Sequence, residues 1–179
     1  MKTPQFILYT FLLGVLILGQ SNSQPSTILW NQERKLSWDD FQGQPNYNFE
    51  DISALTSSGI VHYKSCEDGK IAYRVQAYFE KKYSWVKQEA YTDHHLQHEQ
   101  IHFDITELYA RKLRKALSKR DYKCGQEAEF DEFVGTFLRK WQKAQIEYDL
   151  YSHYSMRPKK QKEWEYRIAM ELSVYKKFN

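Results

Sequence analysis

Long hydrophobic runs are almost missing from this chain of 179 residues, and so are glycine and proline, at 7 and 4 residues. With 16% aromatic and 41% apolar residues, the shortage of Gly and Pro excludes low-complexity and disordered classes. Charge of one sign is missing too. The formal net charge is +3, too small and too evenly spread to announce a nucleic-acid protein. There are only two cysteines, Cys66 and Cys124, so neither a thiolate metal cluster nor a dense disulfide framework is available.

The one long apolar run covers residues 6–19, after Lys2 and before the small polar stretch Gln20-Ser21-Asn22-Ser23. It falls short of the about 20 apolar residues that span a bilayer. This pattern is that of a cleaved secretory leader. Residues 1–23 are therefore expected to be a signal peptide cut near Ser23, and residues 24–179 a single exported domain, periplasmic or secreted, with no membrane segment left after cleavage. In that oxidising setting Cys66 and Cys124 are candidates for a disulfide tying an early hairpin to a later loop.

Residues 36–43 read as a short strand and turn covering the core. Ile71, Tyr73, Val75, Ala77 and Phe79 alternate with polar or smaller neighbours, which predicts a strand paired through the Glu67-Asp68-Gly69 turn with a strand over residues 59–63. Residues 83–86 extend that hairpin. Beyond Tyr91 the period becomes helical. Thr92 or Asp93 is the expected N-cap of a helix reaching about Leu117. A second helix carries Phe130, Val134, Phe137, Trp141, Ala144 and Tyr148, and a third follows Pro158 with Trp164, Ile168, Leu172 and Tyr175. The fold class is α+β, a small antiparallel sheet followed by three helices.

Chemistry concentrates in His94-His95-Leu96-Gln97-His98-Glu99-Gln100-Ile101-His102, which spells H-E-x-x-H within the first long helix. Residues four apart share a helical face about 6 Å apart along the axis, so His98 and His102 can reach one Zn²⁺ while Glu99 stands beside its bound water as general base. His94 is too far along the helix from His102 to join them. The third ligand must come from elsewhere, and Tyr148-Asp149-Leu150-Tyr151-Ser152-His153-Tyr154 supplies Asp149 and His153, again four apart. The hydroxyls of Tyr148, Tyr151 and Tyr154 are candidate donors to a tetrahedral oxyanion. The cations from Arg111 to Lys123 read as a solvated helix face rather than a nucleic-acid surface.

Leu36-Ser37-Trp38-Asp39-Asp40-Phe41-Gln42-Gly43, His98-Glu99-Gln100-Ile101-His102-Phe103-Asp104-Ile105, Ala110-Arg111-Lys112-Leu113, and Tyr148-Asp149 with Gln161 and Trp164 together resemble a secreted bacterial family classed as a domain of unknown function and described as zinc-dependent proteases. The resemblance implies a zincin-like fold, zinc on His98 and His102, and a catalytic Glu99. The family's Thr-x-His step falls, ungapped, on Ser152 and Tyr154, leaving His153 one residue early. Either a local shift lets His153 serve as third ligand, or Asp149 does, as in aspzincin-type peptidases; the balance falls slightly towards Asp149, with His153 close behind.

Two functions are expected from this pattern. One is an exported zinc peptidase acting on peptide or protein substrates, with the strand at residues 73–79 or 83–86 beside the cleft to pair with an extended chain. The other is a non-catalytic exported or envelope-associated binding protein with a residual or structural metal site. An open fourth coordination position facing Glu99 separates them, since structural zinc is closed by four protein ligands.

Overall fold

The computed structural model describes residues 25–179; the leader expected at residues 1–23 lies outside the described residues. Strand β1 spans Thr27–Leu29, β2 Ala54–Leu55, β3 Ser58–Glu67, β4 Lys70–Glu80 and β5 Trp85–Val86. Helices α1, Asp93–Leu117, α2, Glu127–Ser152, and α3, Pro158–Val174, follow. The fold is α+β with small antiparallel sheets.

β3 and β4 form the expected hairpin, in register from Ser58↔Phe79 to Glu67↔Lys70. Asp68 and Gly69 both take left-handed φ values, 50° and 77°, the backbone that a two-residue hairpin turn needs for its twist to match the strands. β1 pairs with the far end of β4, so β4 is the centre of a sheet ordered β1-β4-β3. Its inward residues Ile71, Val75, Ala77 and Phe79 are buried, and Phe79 meets Phe103 of α1 at 5.7 Å between ring centroids.

α1 lies in the middle of the molecule. One side packs on the sheet through Phe103, Ala110, Leu113 and Leu117. Another packs through Ile101, Ile105 and Leu108 against Ala144 and Tyr148 of α2 and Trp164 and Ile168 of α3. Thr92 caps it, its hydroxyl accepting from His95 N at 3.2 Å. Pro158 opens α3 at its first turn, where its missing N–H costs nothing.

Three local expectations are corrected. Residues 36–43 form no strand; Trp38–Asp40 is a 3-10 turn. The buried Asp40 carboxylate accepts from Ser37 N at 3.0 Å and pairs with Arg34 at 2.8 Å, so a local side-chain bond displaces the ladder. Residues 83–86 do not prolong the hairpin. Ser84 N returns to Glu80 O at 3.0 Å, turning the chain so that β5 pairs with β2 in a separate two-stranded sheet. Arg111 is not on a solvated face: it is 2% exposed. Its guanidinium donates to Glu107 at 2.8 Å, Leu172 O at 2.8 Å and Asn179 Oδ1 at 2.9 Å, clamping the C-terminus to α1.

Cys66 and Cys124 are joined, 58 residues apart in sequence, and staple the β3–β4 tip to the loop between α1 and α2. Cys124 N→Gly69 O at 3.1 Å and Ile71 N→Tyr122 O at 2.8 Å hold the same junction. Chain-entropy reasoning gives about 4 kcal/mol for a loop of this size. The Cys66→Ser/Cys124→Ser variant should thus lose roughly 2–4 kcal/mol in urea unfolding, with metal uptake unchanged because the junction lies at the far end of α1 from the site described next.

Candidate metal centre

α1 carries His98, Glu99 and His102, and α2 carries Asp149. The antiparallel packing of α1 on the C-terminal half of α2 brings three donor atoms together. His98 Nε2 lies 3.2 Å from His102 Nε2, and Asp149 Oδ1 lies 3.2 Å and 2.9 Å from the two. Two imidazole nitrogens and a carboxylate oxygen within 4.8 Å of one another form a group that could hold a metal ion.

The surroundings hold the His102 imidazole in one orientation, while His98 Nδ1 is buried with no protein partner. Gln145, one turn before Asp149, faces His102 Nδ1 with its Oε1 at 2.7 Å, and its amide donates to His102 O and Thr106 Oγ1, each at 3.0 Å. The ring nitrogen facing Oε1 must carry the proton, so Nε2 is left as the ligand atom. Tyr148 stacks on His98 at 4.6 Å and 25° and meets His102 edge-on at 4.9 Å. Gln145 escaped the sequence reading, although its place one turn from Asp149 on α2 was a usable signal.

Charge in the cluster is strongly coupled. Burial alone would lower the His102 pKa, but the Asp149 carboxylate beside it pushes it up to about 9. Burial acts against ionised Asp149 as well, yet the two imidazoles hold its carboxyl well below the usual range. In the metal-free protein the group is thus an ion pair with a proton on imidazole. A metal must displace that proton, so apparent affinity should rise roughly tenfold per pH unit and level off above about 9. Calorimetric titrations in buffers of different ionisation enthalpy would read the released proton; a pH-independent affinity would contradict the coupling.

A cleft of about 490 Å³ opens over these donors, lined by residues 52–58 on one side and by Trp141, Gln142, Gln145, Ile146 and Asp149 of α2 on the other. Glu99 lines it, is 3% exposed, and has one carboxylate oxygen with no protein partner. Thr56 Oγ1 donates to Glu99 O at 3.2 Å, tying the wall to the helix.

The structure separates the remaining candidates. His153 is no member of the donor group: it ends α2 in a left-handed conformation, φ 51°, and is exposed. That reversal of φ turns the chain away before His153 can stack over Asp149. Tyr151 points elsewhere, its hydroxyl donating to Glu163 at 2.8 Å. Tyr148 lies beneath the imidazoles rather than in the cleft, and burial pushes its phenol well above its ordinary pKa. Of the three tyrosines only Tyr154 lines the cleft. His94 Nε2 lies 2.7 Å from Ser155 O, fixing the turn that carries Tyr154. The strand at residues 73–79 is not beside the cleft; β2 and its flanks are.

Residues 71–155 match the family model described as "Bacterial protein of unknown function (DUF922)", a stretch that contains His98, Glu99, His102 and Asp149. No curated protein and no solved structure matches the chain. Among the described residues, no helix is long and apolar enough to cross a membrane.

Proposed function

We propose that the chain is an exported, zinc-dependent, zincin-like peptidase. The observation that carries this reading is a group of three protein donors in the lining of a cleft that Glu99, with one buried carboxylate oxygen unpartnered, also lines. A structural zinc is closed by four protein ligands, whereas a catalytic one keeps a position for water. The donor set also suits zinc, which accepts imidazole and carboxylate. Bound there, the ion would supply Lewis acidity and a water acidified towards about pH 7.

The chain's own residues then divide the work. Glu99 would take a proton from the attacking water and deliver it to the leaving amine. Gln145 holds His102 in the tautomer that leaves Nε2 free. Tyr154, the candidate tyrosine that lines the cleft, would offer its hydroxyl to the developing oxyanion. Ser53 O accepts from Lys87 N at 2.8 Å, and Leu55 pairs with Trp85 two residues on, so the backbone groups of Ala54 and Thr56 face away from β5. That edge, rather than β4, is the one available to an extended peptide. Export is supported by the disulfide together with the leader read from residues 1–23.

Elemental analysis of the purified mature chain tests the reading. About one zinc per chain is expected, together with cleavage of quenched-fluorescence peptides that stops on chelation and returns with zinc. No zinc after reconstitution would remove the proposal, and zinc without cleavage would move the binding-protein alternative to the front.

A further inference from the structure

A second surface is built at the opposite end of the α1–α2 pair, independent of the metal group. Lys112 is ten residues from His102 on α1, about 15 Å along the axis. Here Lys112, Lys115, Lys119 and Arg120 of α1 and its following turn face Lys140 of α2 across a recess of about 750 Å³. No carboxylate lines it. On the exposed faces of α2 and α3, Lys143, Lys160 and Lys162 each meet a glutamate within one turn. In the recess only Lys112 has such a partner, Glu171 at 2.6 Å; among the described residues the other four cations form no ion pair. A protein of net charge +3 therefore gathers four uncompensated cations in one concavity, at a cost in mutual repulsion that an anionic occupant would relieve.

The floor narrows the choice of occupant. It is aromatic, and each ring already carries a cation on its face: Arg120 over Phe133 at 4.0 Å, Lys115 over Tyr175 at 4.6 Å, Lys112 over Tyr109 at 4.7 Å and Lys140 over Phe137 at 5.2 Å. Occupied faces leave no platform for stacking bases, which argues against a single-stranded nucleic acid. What fits is a narrow chain whose carboxylates meet the ammonium groups at the rim while apolar side chains lie on the exposed ring edges. We infer that this groove docks an acidic segment of a partner protein that also carries apolar side chains.

Fluorescence anisotropy of a short fluorescein-labelled peptide of alternating Glu and Phe, titrated with the mature chain at low and high salt, tests the inference. Binding should weaken with salt and fall at least about tenfold in Lys115→Glu/Lys140→Glu. The equally charged Lys82→Glu/Lys159→Glu variant, altered at exposed lysines outside the recess, should bind as the parent does. Lys119→Glu, whose side chain covers no ring, replaces the double variant should that one fail to fold. No binding by the parent, or equal loss in both double variants, would overturn the assignment. So would tighter binding of a single-stranded oligonucleotide or of anionic phospholipid vesicles through the same lysines.

Discussion

Glu99→Gln is expected to keep the metal and lose peptide cleavage by at least about a thousandfold, the upper range for removing a general base. Glutamine has the shape of glutamate, and the residue is 3% exposed with one carboxylate oxygen unpartnered, so the packing of α1 should survive. What glutamine lacks is the capacity to take a proton. The discriminating experiment measures three quantities on the same preparation: zinc per chain, thermal midpoint and kcat/KM on a cleavable peptide. Unchanged metal and midpoint with activity lost places Glu99 in the proton-transfer role. Substantial cleavage by the variant would sink that role, and loss of metal would show that Glu99 holds the site together instead.

Asp149→Ala should weaken metal binding by roughly a hundredfold or more, because one of three donors is removed and two imidazoles lose the charge that orients them. His153→Ala, four residues on, should leave affinity unchanged, since its ring stands on the exposed left-handed turn outside the donor group. Competition titrations against a chromophoric chelator measure both. The reverse pattern would mean that the end of α2 rearranges when metal enters, and the assignment of Asp149 would fall.

Much of the architecture was legible from pattern alone. The alternation from Ile71 to Phe79 and the Asp68-Gly69 turn predicted the hairpin, because successive strand residues point to opposite faces. Thr92 or Asp93 as the cap and the apolar spacing to about Leu117 predicted α1, and the structure settles the cap on Thr92. The misses have a common cause. Near Trp38 the buried Asp40 bonded Ser37 and Arg34, and near Trp85 a turn from Ser84 N to Glu80 O redirected the chain; in both places a short-range hydrogen bond overrode the alternation of apolar residues. Arg111 looked like surface because arginine usually is; its burial depends on Glu107 and on a C-terminus returning across α1.

The sequence by itself determined that His98 and His102 share one face of a helix with Glu99 beside them, since the helical period leaves no other arrangement for that spacing. It also determined which two stretches would supply the donors. Only the tertiary structure put Asp149 rather than His153 beside the two imidazoles, Tyr154 and not Tyr148 or Tyr151 at the cleft, and β2 in the cleft wall. Those choices turn on where α2 ends and on how two helices pack, and such long-range geometry leaves no local period to read.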